Sequence, residues 1–228
     1  REGEGGSARG ERQYWDLDRM LKVAESAAGN VVSATGAIYA IRRPLCPQVP
    51  EGVTDDFAIS TAVICAGSRL VFEPEAAAYE EVALDRRAEF ARKVRIMTRG
   101  LRGVWLRREL LDPRQHGFYA IQLLTHKVLR RLMVLPLGIL YVSSLKAAPT
   151  SQAIRLLALG QTAFYGAGLL GVITERTRLG RARVLALPAY FCMVNAAAAV
   201  AVVNLISGRR IDRWRTDRGS PGAPEAPR

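Results

Sequence analysis

Two uninterrupted apolar runs constrain this chain more than any other feature. Residues 156–174 are 19 positions without a charge, and residues 184–207 are 24. As helices rising about 1.5 Å per residue, each can cross a hydrocarbon core of about 30 Å. A third run, residues 132–145, has only 14 uncharged positions. It crosses only if residues 128–131 join the same helix and the arginines snorkel to the interface. A soluble domain could bury one such helix in its core. Three in succession, each fenced by Arg or Lys, point to a lipid bilayer.

Charge supports that reading. The formal net charge is +12 and the sequence pI about 10.3, a balance that also suits nucleic acid. Yet few aromatic residues interleave with the basic ones, and many arginines flank the apolar runs, where anionic headgroups lie. Nucleic acid is therefore not an expected partner. Between Leu132 and Gly208 the sole acid is Glu175. Cys46, Cys65 and Cys192 are too few and too scattered for a disulfide scaffold or a zinc site, and His116 and His126 have no metal-binding spacing.

Ahead of the spans the pattern is mixed. Residues 1–13 are Gly- and charge-rich and read as disordered. A helix is expected from Tyr14, with Leu17, Met20, Leu21 and Ala24 at helical spacing and Gly29-Asn30 as its stop. The run VVSATGAIYAIRR reads as two short β-like segments pinned at Thr35-Gly36, followed by a Pro-rich loop. Thr54-Asp55-Asp56 opens a second helix capped by Gly67. Residues 69–72 and 77–79 read as short strands, and Asp85 begins an Arg-rich helix. Short strands alternating with helices predict an α/β fold for residues 14–117, with too few strands for a complete sheet. Residues 118–207 hold an interfacial helix (Phe118, Ile121, Leu124 and Thr125 on one side) and two to three transmembrane helices. Residues 208–228 form a disordered basic tail.

Three motifs can carry chemistry. Asp55-Asp56 sits at a loop-to-helix junction, where one carboxylate can act as a general base and the helix N-terminus favours its ionised form; the same pair also suits a plain N-cap. Arg92 and Arg95 share a helix face, which suits a diphosphate or simply a solvated basic surface. Thr35-Gly36-Ala37 offers small residues that let a bulky ligand near the backbone, or form a turn.

The order of these motifs is more specific than any one of them. A WxxxxxLxxxES helix is followed by ATGAIYAIRR, TDDFAIS, GSRLVFEPEA, a helix carrying RKVRI, and THKVLRRL leading into the spans. Across residues 13–145 this closely resembles the second half of the catalytic domain of membrane-bound family 2 glycosyltransferases, which include cellulose, hyaluronan and poly-N-acetylglucosamine synthases. The resemblance implies the C-terminal half of a GT-A-type, Rossmann-like domain followed by its membrane anchor. It makes Asp56 the base toward the acceptor hydroxyl with Asp55 in support. Thr35, Gly36 and Ala37 would border the acceptor sugar, while Arg95, with Arg92, steadies the nucleotide diphosphate. Where processive members have Gln-x-x-Arg-Trp, this chain has Arg92 and Ile96, so an aromatic platform for a growing polymer is missing.

The resemblance further implies a cytosolic nucleotide sugar, a saccharide or lipid-linked acceptor, and Mg²⁺ or Mn²⁺ held by an Asp-x-Asp that this chain lacks. Together with Arg1 as first residue, this gives the expectation of a C-terminal fragment, inactive alone. The expected location is the inner (plasma) membrane, multi-pass, with the catalytic part cytosolic and Lys127, Arg130 and Arg131 inside. The rivals are a non-enzymatic membrane scaffold derived from a transferase and a small transporter, though the spans lack the intramembrane charges usual for ion paths.

Overall fold

The computed structural model describes residues 18–78, 86–174, 177, 180, 182–209 and 211. The expectations for residues 1–13, for the helix start at Tyr14 and Leu17, for Tyr79, for Asp85 and for most of the tail lie outside that set. Nine α-helices follow in order among the described residues. They are α1 (residues 18–28), α2 (Asp55–Cys65), α3 (Arg86–Leu106), α4 (Pro113–His116), α5 (Phe118–Leu123), α6 (Arg130–Leu132), α7 (Val134–Ala147), α8 (Gln152–Ile173) and α9 (Arg183–Ile206). A π-helical turn, Leu124–Leu129, joins α5 to α6.

Local chemistry sets the boundaries. Thr54 is the N-cap of α2 in extended geometry, so Asp55 and Asp56 occupy the first turn and neither caps it. Gly67, at φ +69°, takes the left-handed conformation that ends the helix without a Cβ clash. Asp112 caps α4 by accepting the Arg114 N–H at 2.9 Å, ahead of Pro113 at the first helical position.

The extramembrane core gathers Val32, Val53, Phe57, Ala58, Ile64, Val104, Leu110, Tyr119 and Leu123. It packs α2, the C-terminal part of α3 and α5 around the 31–32 segment, and the Tyr119 hydroxyl donates to the Val32 carbonyl at 3.0 Å. α2 and α3 approach closely: a Cβ on Gly103 would stand 2.6 Å from Phe57 Cδ1. α5 therefore turns Tyr119 and Leu123 into this core. Its other side carries Phe118, Ile121 and Leu124, all exposed, the apolar stripe an interfacial helix needs.

Helices α8 and α9 are long and apolar enough to cross a membrane. Their large side chains point outward, with Ile173 at 72 % and Ile206 at 82 % exposure, a surface that requires lipid or protein cover. They meet through small residues, since a Cβ on Gly171 would stand 2.6 Å from the Leu185 carbonyl oxygen and one on Gly168 2.7 Å from Cys192 Sγ. α7 is linked to α8 by a 2.7 Å hydrogen bond from Ser144 Oγ to Gln161 Oε1. Phe118–Leu132 and Val134–Ala147 together are also long and apolar enough for a span, but they bend by 45° at their junction. Tyr119 and Leu123, at one end of this pair, belong to the core around Phe57, whereas Leu132 packs against the Leu101, Ala201 and Val202 cluster between α3 and α9.

The other face of α9 is given to α3. Leu101 clusters with Ala201 and Val202, and the Asn204 amide donates to Thr98 Oγ1 at 3.3 Å in a buried pair. A charged helix beside an apolar one needs its ions matched. Glu89 meets Arg92 Nε at 2.7 Å and Lys93 Nζ at 2.9 Å, while Lys93 also reaches the Tyr190 hydroxyl at 3.3 Å.

The α/β expectation is overturned. The described residues are mostly helical and contain no sheet, so they do not form half of a Rossmann-like domain. The run around Thr35 folds into a tight reversal with a single antiparallel bridge, Thr35 to Ile38. Residues 69–72 are extended, yet Leu70 exchanges one backbone bond, from Val31 N at 3.0 Å, and a second to the Asn30 side chain. Arg69 binds the Gly29 and Ser26 carbonyls. A strand needs a continuous ladder on a neighbour. Side chains take these backbone groups before a ladder can form.

Candidate functional site

The first turn of α2 and the Thr35–Ile38 reversal form one corner. Ser60, fully buried one turn after Asp56, ties them: its hydroxyl accepts the Ala34 N–H at 2.8 Å and donates to the Asp56 carbonyl at 2.6 Å. This seats Gly36 on the Asp56 side chain, so that a Cβ there would lie 3.7 Å from Asp56 Oδ2. The Tyr39 hydroxyl donates to Asp55 Oδ2 at 3.3 Å. Burial and the Asp55 carboxylate hold the Tyr39 phenol above its ordinary range. Lys22, paired to Asp18 at 2.8 Å, donates to Thr35 Oγ1 at 3.2 Å. Thr35, Gly36, Asp55 and Asp56 are thus neighbours, and Ala37 belongs to the same reversal. Asp55 is exposed and Asp56 half-buried, both in the first turn of α2.

The helix before the spans faces this corner. Lys127 lies in the π-helical turn with its ammonium 5.6 Å from the centre of the Phe57 ring. Arg131, one turn on, donates to the Lys127 carbonyl at 2.9 Å. Its guanidinium packs on α3, where a Cβ on Gly100 would stand 2.8 Å from Nη2. Burial, then the charge of Arg131, push the Lys127 pKa down to about 8, and Asp56 opposes the shift. Burial and Arg130 lower Arg131 to about 10, again opposed by Asp56. Beside them, His126 Nε2 is 3.4 Å from Glu25 Oε1, a contact not aligned as a hydrogen bond.

No protein-family model, curated protein or solved structure matches this chain.

Arg92 and Arg95 are placed differently from Lys127 and Arg131. Arg92 binds Glu89 through Nε at 2.7 Å and Nη2 at 3.0 Å. Arg95 is lowered by burial and then by the charges of Arg99 and Arg92, without a contribution from Asp56. Arg99 and Arg102, further along α3, anchor the loop before α2 through the Val53 and Glu51 carbonyls. The cations whose fields meet Asp56 are therefore Lys127 and Arg131. The sequence signal for them was the THKVLRRL segment, where position 127 reads as an ordinary juxtamembrane lysine until the packing is known.

Among the described residues no three His, Cys, Asp or Glu side chains converge as metal ligands. Cations rather than further carboxylates face Asp56, so the described residues do not fit Mg²⁺ or Mn²⁺, and no step is routed through either ion. A shallow cleft lined by Pro50, Val53, Phe57, Thr61, Gly103 and Arg107 does not include Asp56. The corner itself is open to solvent.

Proposed function

We propose that this chain is the acceptor-side, membrane-anchored part of a family 2-type glycosyltransferase that moves a sugar from a nucleotide sugar to a saccharide or lipid-linked acceptor. The observation that carries the reading is the seating of Gly36 on Asp56. A half-buried carboxylate in the first turn of a helix, bordered by a side-chain-free backbone, leaves room for a sugar hydroxyl at hydrogen-bond distance. The hydroxyl oxygen bonds to the anomeric carbon of the donor sugar. The bond from that carbon to the nucleoside diphosphate breaks with its electron pair, and the hydroxyl proton passes to Asp56. Asp55, held by Tyr39, supports the charge at this helix end.

A donor made in the cytosol puts this corner on the cytosolic side of the inner (plasma) membrane, with α8 and α9 crossing it. The membrane scaffold remains the rival reading. Membranes from cells that express the gene encoding this chain are incubated with radiolabelled nucleotide sugars. Incorporation into a polymeric or lipid-extractable product is expected, and the 228-residue chain alone should give none. Absence of incorporation from every nucleotide sugar by membranes that hold the folded gene product favours the scaffold.

A further inference from the structure

We propose that Lys127 and Arg131 form a binding site for a phosphate or diphosphate group beside Asp56. The two side chains stand one helical turn apart on the face that α5 and α6 turn toward α2 and α3. Each is half-buried. Lys127 is covered by the Phe57 ring and Arg131 by the glycine backbone of α3 at position 100. Among the described residues neither has a carboxylate within ion-pair distance, in contrast to Lys22, Arg92 and Lys93, which hold Asp18 or Glu89.

Like charges one turn apart repel, and desolvation adds to that cost. A fold that places two such cations together, with the Asp56 carboxylate in their field but outside ion-pair distance, has a place for a further anion. An ammonium and a guanidinium at this separation suit the several oxygens of a phosphoryl group through charge-assisted bonds. Lys127 lies in a π-helical turn, a rare distortion that often re-aims side chains at functional sites. That turn sends His126 to Glu25 and Lys127 to Phe57 and Asp56. Identifying the group as the leaving diphosphate rests on the transferase reading. The anion site itself does not.

The chain in phosphatidylcholine nanodiscs is titrated with inorganic pyrophosphate, followed by ³¹P chemical shift and calorimetry. Saturable binding is expected, weakened about tenfold or more in Lys127→Gln and in Arg131→Gln, since a charge-assisted bond contributes about 1.5–3 kcal/mol and each 1.4 kcal/mol is tenfold. Lys127→Arg keeps the charge and should keep most of the binding. Arg43→Gln, an exposed cation elsewhere, should leave it unchanged. A second arm replaces part of the lipid with phosphatidic acid and omits pyrophosphate. Retention of that lipid, lost in the same two variants, assigns the site to a headgroup instead of a soluble diphosphate. Absence of both kinds of binding in the wild-type chain overturns the proposal, as does binding that both Gln variants retain. Because no sugar transfer is measured, loss of this site and loss of the transferase reading remain distinguishable.

Discussion

Gly36 rests on Asp56: the nearest carboxylate oxygen would be 3.7 Å from a Cβ at position 36. That separation is ordinary van der Waals contact. One methyl group fits, and a larger side chain must displace either the reversal or the carboxylate. Gly36→Ala should therefore fold with an unchanged melting temperature, whereas Gly36→Phe should keep the helices, read by circular dichroism, and lose sugar transfer in membranes from cells that express the gene. Full transfer by Gly36→Phe contradicts an acceptor at this corner.

Ser60 fastens that corner from below. Ser60→Ala leaves the Ala34 N–H without its acceptor and removes the bond to the Asp56 carbonyl. A buried donor left unsatisfied costs about 1–3 kcal/mol. Thermal unfolding in nanodiscs should show that loss, and hydrogen exchange at Ala34 should accelerate. Unchanged exchange at Ala34 argues against the clamp.

Gly103 lets α3 approach α2. A methyl group there would meet Phe57 Cδ1 at 2.6 Å and Val53 Cγ1 at 3.0 Å, and neither neighbour is the free end of a flexible chain. Gly103→Ala, normally favourable in a helix, should instead destabilise by about 1–3 kcal/mol. A melting temperature at or above that of the wild type shows that the two helices are not in this contact.

Lys127 gives a pH dependence whose sign is fixed. Its pKa is about 8 in the folded chain against an ordinary 10.5. Between those values the unfolded chain binds more protons, so stability rises with pH. Below the window lysine is charged in both states and the penalty is complete; above it neither state is charged. The stability of wild type relative to Lys127→Met should increase across pH 8 to 10.5. A relative stability that stays level across this window contradicts the burial of a charged Lys127.

The spans, the α2 boundaries and the Asp55-Asp56 position at a helix start were legible because each has a local cause: a long uncharged run, Thr54 before two acids, Gly67 after the last apolar turn. The two amphipathic faces of residues 118–125 could be read as well, though not that Tyr119 and Leu123 face a core and Phe118 and Ile121 face outward. The sheet was misread for a physical reason. Alternation in VVSATGAIYAIRR favours extended backbone, but a sheet depends on partners far along the chain, and here side chains take the backbone groups in and beside the run: Ser60 the Ala34 N–H, Asn30 the Leu70 N–H and Arg69 the Gly29 carbonyl. The approach of Lys127 and Arg131 to Asp56 spans about seventy residues of sequence and depends on how α5 packs. Spacing along the chain carries no signal for such a contact.

The central claim is that Asp56 takes the proton of the acceptor hydroxyl, and it is tested most directly by single-turnover sugar transfer in membranes from cells that express the gene with Asp56→Asn. The substitution keeps the size and the hydrogen-bonding shape of the side chain and removes its basicity. Transfer should fall by about 10²–10⁴-fold, the contribution of a general base, with nucleotide affinity unchanged. Transfer within a few-fold of wild type contradicts the account.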